Sequence, residues 1–444
     1  MPYALKTRND MSKTTERASF GSKLGIILAT AGSAVGLGNV WRFPYMAGEN
    51  GGAVFIIGRH GAANTARAYS HLAEGKAWKY VGYLGVLTGF LITGYYAVVS
   101  GWCLQYVYGA VVGGINGDAE YVKQYFQEFS SHPVKPILWA AIFLVITHMV
   151  VVRGVRNGIE RMSKLMMPVL FILLLVIVVA SCMLPGAGKG IAFLFKPDFT
   201  KVDSGVFLGA LGQSFYSLSI AMGCICTYAS YFTRHTDLLK SAVQISIIDC
   251  MVAVLAGLMI FPAAFSVGIS PDSGASLVFI TLPNVFHQAF STMPVVGYVV
   301  AVLFYLLLAV AALTSLISLH EVSTAFLQEE CRITRPRAAT YITVTCIVIG
   351  AFCSLSLGAC DALTLFGMPL FDLFDFVTGQ LFLPIGGFLT CLFLGWVVPR
   401  KLVHDEFTNW GTLRGTFFGV YLFLVRFVCP VSILLIFLHQ LEVI

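Results

Sequence analysis

The run Leu24-Gly-Ile-Ile-Leu-Ala-Thr-Ala-Gly-Ser-Ala-Val-Gly-Leu-Gly-Asn-Val-Trp-Arg-Phe-Pro44, LGIILATAGSAVGLGNVWRFP, decides the fold. From Leu24 to Trp41 it carries no charge. A helix needs about 20 mostly apolar residues to cross a bilayer, so this run belongs in the membrane. Yet Gly32, Gly36, Gly38 and Asn39 crowd its middle. Each glycine costs a helix about 1 kcal/mol relative to alanine. A single small residue also suits close helix packing. Three glycines followed by an asparagine point instead to local unwinding.

The whole chain matches that setting. Its 444 residues are 57% hydrophobic and only 11% charged, with mean hydropathy +0.82. Soluble domains run near one quarter charged. The chain reads as an all-α polytopic membrane protein. The first apolar run lacks a small-residue cleavage motif and is too long for a signal h-region. The net charge of +6 fits basic cytoplasmic loops rather than a nucleic-acid partner. The eleven cysteines are scattered, and only Cys224 and Cys226 are close, so packing is their default role.

Ten spans are expected, near 20–46, 80–113, 136–153, 163–184, 205–232, 240–268, 294–327, 338–358, 373–398 and 415–440. Lys and Arg concentrate in the loops 153–164, 233–240, 328–338 and 399–414, which therefore read as cytoplasmic. The loops 269–293 and 359–372 hold neither. The N-terminal segment 1–19 and the stretch 58–79 also read as cytoplasmic. Only one full span separates those two.

The conflict sits in Glu49–Gly61, ENGGAVFIIGRHG. Gly51–Ile57 would have to make a second crossing. Seven residues reach about 10 Å as helix or about 23 Å extended, against a core of about 30 Å. Extended backbone in lipid would also leave its polar groups unpaired. One span is missing, or one is inverted against its charges.

The fifth span repeats the theme of the first. Gln213, Ser214, Ser217 and Ser219 precede Gly223, and such hydroxyls can satisfy freed backbone groups. Two interrupted helices in corresponding halves point to a secondary transporter with its site near the midplane. Asp249 is the sole charge between Lys240 and Asp272, and an intramembrane carboxylate is costly unless it serves an ion. Thr314 and Ser315 lie in another apolar helix, where back-bonding to the preceding turn is their plain role. His60, His71, His148, His235 and His320 are dispersed, and no nucleophile–base or metal motif indicates an enzyme.

Several stretches carry a specific resemblance: GSAVGLGNVWRFPYMAGENGG (32–52), SFYSLSIAMG (214–223), FITLPNVF (279–286) and ALTSLISLHE (312–321). From about Arg17 onward the chain resembles the neurotransmitter:sodium symporter family, whose bacterial members resemble LeuT. The resemblance implies one transmembrane domain over 1–444 with two inverted five-helix repeats, about 20–184 and 205–398. An extra helix at about 415–440 would follow. Helices one and six would be unwound. Ten spans are then the eleven-helix form minus one, because about 20 residues of the second helix are absent. Phe55–His60 resembles that helix's cytoplasmic end, and Val54 stands where the family carries Glu.

The resemblance also implies a function: import of an amino acid or related amine coupled to sodium, in the bacterial plasma membrane, with a cytoplasmic N-terminus. One sodium site would use Ala34, Asn39, Ser217 and Asp249. The second would use Gly32, Val35, Ala311, Thr314 and Ser315. The substrate carboxylate would meet Leu37, Gly38 and Tyr96, and its amino group Ala34, Tyr216, Ser217 and Ser219. Ile92, Tyr216, Met222 and Leu319 would line the side-chain pocket. Arg42 with Asp375 would form the outer gate, and Arg17 with Glu329 the inner. Ala34, where monoamine carriers have Asp, leaves room for an α-carboxylate. A fixed Asp249 charge would make chloride unnecessary. Two other readings stay open: a non-transporting or misfolded deletion variant, and a channel, although no repeated filter motif is present.

Overall fold

The computed structural model describes residues 19–35, 51–72, 77–196, 200, 205, 208, 221–233, 236–268, 277–441 and 443. In chain order the helices are α1 (Lys23–Ala34), α2 (Gly51–Gly61), α3 (Thr65–Leu72), α4 (Lys79–Val111), α5 (Ala119–Ser130) and α6 (Lys135–Val152). Next come α7 (Val155–Cys182), α8 (Ala187–Phe195), α9 (Cys224–Ala229), α10 (Leu238–Ser266) and α11 (Leu282–Ala289). The last are α12 (Pro294–Glu330), α13 (Arg335–Leu355), α14 (Leu370–Val397), α15 (Arg400–Phe407) and α16 (Phe418–Gln440). Among the described residues eight helices are long and apolar enough to cross a membrane: α4, α6, α7, α10, α12, α13, α14 and α16.

These eight match eight of the ten expected spans. The other two, 20–46 and 205–232, fall partly outside the described residues. Their described parts are the short helices α1 and α9. Three connections between expected spans, 114–135, 186–204 and 269–293, which read as polar in sequence, hold the helices α5, α8 and α11. In α11 the buried Leu282, Val285 and Phe286 explain why a Pro-marked connection folds inward. Pro283 follows the junction at which the π-turn Leu277–Thr281 passes directly into α11. The stretch 58–79 likewise contains the end of α2 and all of α3.

The longest helix, α12, forms the axis of the packing and touches α1, α4, α6, α7 and α13. Polar side chains inside the long helices close onto their own backbone. Thr88, Thr93 and Ser100 each donate to the carbonyl one turn earlier in α4. That removes bare hydroxyls from an apolar interior. The helices also start as their sequences direct. Ser22 caps α1 and Asp237 caps α10, each accepting from a first-turn N–H.

α2 is anchored at its basic end. The buried Arg59 donates to Glu406 at 2.6 Å, to the Thr236 carbonyl, to Asn409 at 3.0 Å and to the Glu406 carbonyl at 2.8 Å. Its guanidinium also lies over the Trp410 ring. His60 Nδ1 stands 2.9 Å from the other Glu406 oxygen. Thr236, Glu406 and Asn409 belong to the loops that the charge pattern groups with 58–60, so the structure brings that face together. Gly58 allows the approach, since a Cβ there would stand 2.2 Å from the Cys226 carbonyl oxygen of α9.

Glu406→Ala leaves Arg59 buried without a counter-charge, a loss of about 3–5 kcal/mol. Thermal unfolding in detergent should show a midpoint well below that of the parent chain. An unchanged midpoint would mean that the anchor contributes nothing.

Candidate functional site

The described part of α1 ends where the glycine-rich sequence begins. Val35 takes an extended conformation (φ −75°, ψ 100°), so helical hydrogen bonding stops there. Carbonyls in the last turn then lack intrahelical donors. Gly32 lets that end approach α12, because a Cβ there would already stand 3.2 Å from the Thr314 Cβ.

Oxygen atoms gather at this contact. Thr314 Oγ1 lies 3.5 Å from the Val35 carbonyl and 2.9 Å from that of Ala311. Ser315 Oγ lies 3.4 Å from the Gly32 carbonyl and 3.3 Å from that of Val35. Thr314, Ser315, Val35 and Ala311 are all buried. The five residues expected at one sodium site are therefore brought together.

Among the described residues, few hydrogens are available at this contact. Two hydroxyls carry one hydrogen each, and carbonyls carry none. Those two hydrogens face four oxygen–oxygen approaches, and the 2.9 Å contact to Ala311 accounts for one. The three longer approaches, at 3.3–3.5 Å, are poor hydrogen bonds. They match another geometry. A hard cation of calcium-like size takes oxygens at about 2.3–2.6 Å, so adjacent ligands of an octahedron lie about 3.3–3.7 Å apart. An oxygen-only set with no carboxylate suits a single positive charge. No cluster of three or more His, Cys, Asp or Glu that could hold a metal occurs among the described residues.

The second interruption shows its exit. Ala221 and Gly223 both have left-handed backbone (φ +67° and +78°), and α9 begins at Cys224. This broken turn lies between α4 and α12. A Cβ on Gly89 would stand 2.8 Å from the Met222 carbonyl oxygen, and one on Gly223 would stand 2.9 Å from Val322. Ile92 and Leu319 lie one turn from Gly89 and Val322, and both are buried, as is Met222. Tyr96 is half-buried on the same helix as Ile92. Asp249 is fully buried within α10, which touches α1.

Leu37, Gly38, Asn39, Tyr216, Ser217 and Ser219 lie outside the described residues, as do Arg17 and Arg42. The gate partners that are described have other contacts. Asp375 accepts from Tyr95 Oη at 3.1 Å. Glu329 accepts from Asn64 through its N–H at 2.8 Å and its side chain at 3.0 Å. The neighbouring Glu330 pairs with Arg67 at 2.7 Å. Sequence reading missed Tyr95 and Asn64, whose partners are remote in the chain. It also treated His148 and His320 as unrelated. Both reach the Thr343 hydroxyl, at 3.0 and 2.9 Å, and so tie α6, α12 and α13 together.

The model of the sodium:neurotransmitter symporter family matches residues 17–62 and 119–444. The chain belongs to the sodium:neurotransmitter symporter family. The crystal structure of MhsT in complex with L-phenylalanine matches with TM-score 0.84 and 38% identity, over 96% of this chain and all of that one. The sodium-dependent transporter YhdH of Bacillus subtilis is 35% identical over 95% of this chain and 97% of its own. The human sodium- and chloride-dependent GABA transporter 2 is 22% identical over 91% of this chain and 77% of its own. Membership of this symporter family and the apolar spans make the chain a multi-pass, sodium-dependent transporter with a LeuT-type fold. These relatives are transporters, not enzymes.

The two left-handed residues allow a paired test. Gly223→Ala adds a Cβ against Val322 in a backbone unfavourable by about 1–2 kcal/mol for an L-residue. Ala221→Gly removes that strain. Unfolding midpoints should fall for the first and hold or rise for the second. Equal losses would show that this broken turn is not held as described.

Proposed function

We propose that the chain is a sodium-coupled symporter importing an amino acid or related small amine across the bacterial plasma membrane by alternating access. The observation that carries this reading is the hydrogen-poor oxygen cluster joining the end of α1 to Thr314 and Ser315. Sodium is a co-substrate there. Gly32, Val35, Ala311, Thr314 and Ser315 supply its oxygens, and it holds the end of α1 against α12.

A first sodium would take Ala34, Asn39, Ser217 and Asp249. The substrate carboxylate would sit on Leu37, Gly38 and the Tyr96 hydroxyl. Its amino group would meet Ala34, Tyr216, Ser217 and Ser219, and its side chain Ile92, Tyr216, Met222 and Leu319. In this reading Asp249, buried on a helix that touches α1, would supply the negative charge beside the first sodium, so chloride would not be needed. Arg42 with Asp375, and Arg17 with Glu329, would close the site from opposite sides. In this reading the N-terminus is cytoplasmic, the repeats span about 20–184 and 205–398, and the helix at 415–440 lies outside them.

One observation favours a second reading, a family member that binds without transporting. The described part of α2 rises about 16 Å, roughly half a hydrocarbon core, and the residues before Gly51 lie outside the described ones. By the family resemblance about 20 residues of the second helix are absent, which would leave that helix of a moving bundle incomplete.

Amino-acid uptake into proteoliposomes should collapse without an inward sodium gradient. Persistent uptake would refute the coupling. Ser315→Ala should raise the sodium concentration for half-maximal stabilisation at least tenfold, read from unfolding temperature across a sodium titration. Sodium- and substrate-dependent stabilisation with no uptake would select the non-transporting reading.

A further inference from the structure

A cavity of about 280 Å³ opens at the start of α7, away from the site above. Gly21, Arg156, Asn157, Glu160, Arg161 and Lys164 line it. The sole acid among these is already committed. Glu160 is buried and accepts from the Gly21 N–H at 2.6 Å, the Ser22 hydroxyl at 2.8 Å and Lys164 at 2.7 Å. Arg156 and Arg161 are exposed and have no ion-pair partner among the described residues. Two uncompensated guanidinium groups therefore face one cavity.

The position of the cavity narrows the ligand. Arg161 heads a stripe of exposed residues along α7: Leu165, Val169, Ile172, Val176 and Val179. These recur at helical spacing on one face of a membrane span and so point at lipid. A cation one turn beyond a lipid-facing stripe stands at the depth of the headgroups. A guanidinium fork fits phosphate oxygens in two-point hydrogen bonds. A free anion would need only the charge. A diacyl lipid would use both the charge and the apolar stripe below it.

We propose that this cavity binds the phosphate of an anionic phospholipid headgroup, with Arg156 and Arg161 as its ligands and the acyl chains along the α7 stripe. The site adjoins the start of α1. Glu160 holds Gly21 and the capping residue Ser22, and α1 carries the Gly32 and Val35 carbonyls. A headgroup seated there would fasten the α7 π-turn Val155–Glu160 against the start of α1.

Native mass spectrometry of the full chain, released from nanodiscs of mixed phosphatidylglycerol and phosphatidylcholine, tests this. The parent chain should retain phosphatidylglycerol preferentially. The double variant Arg156→Gln with Arg161→Gln should retain at least fivefold less. A control with equal charge loss, Lys401→Gln with Arg414→Gln, should retain parental amounts. Arg156→Lys with Arg161→Lys keeps the charge and loses the forks, so its retention should fall between. Gel filtration establishes that each variant is folded. Millimolar glycerol phosphate should leave retention unchanged. Equal losses in both neutralised variants would reduce the effect to general surface charge and overturn the site. Displacement of the lipid by glycerol phosphate would overturn the lipid as its occupant.

Discussion

A helix that stops inside a bilayer releases carbonyl groups into a medium with no water to bond them, and each left bare costs several kcal/mol. The end of α1 is governed by that constraint. Gly32 and Val35 present carbonyls where α1 leaves helical geometry, and α12 supplies Thr314 and Ser315 opposite. Their two hydrogens are too few for the approaches made. In the proposed reading a sodium ion at this contact would supply the positive charge, which would make the helix break and the sodium dependence one feature.

The same helix steadies the second break. Val322 of α12 lies against Gly223, eight residues beyond Thr314 and about 12 Å along the axis. Both interruptions are thus referred to one long element packed against α4, α7 and α13. Gly89 of α4 closes the other side of the second break. Small residues at these contacts serve packing and unwinding together, because the broken backbone must come close enough to be satisfied.

Long uninterrupted apolar runs were readable because length alone fixes a spanning helix, and the breaks were readable because glycines and hydroxyls cluster there. α5, α8 and α11 were not. They are short helices whose mixed composition resembles connecting loop, and Pro283 looks like a terminator although the run stays helical from Leu277 to Ala289. The Arg59–Glu406 pair spans 347 residues of sequence, so no local pattern could announce it. Thr314 and Ser315 were ambiguous for a different reason. Back-bonding and approach to another helix's carbonyl use the same hydroxyl, and Thr314 makes both at once, at 2.9 Å to its own turn and 3.5 Å to Val35.

The parity conflict around Glu49–Gly61 takes another form in three dimensions. Phe20, just before α1, and Phe55, in α2, both pack on the Phe232 ring. Phe20 also donates its N–H to the Tyr231 carbonyl, and Arg59 donates to Thr236. The beginning of α1 and the end of α2 therefore share one face of the molecule. The stretch between them, 36–50, lies outside the described residues. The basic end of α2 is tied to the face from which α1 starts, as the charges of the two segments require, and any polar backbone between them inside a bilayer must find protein partners rather than lipid.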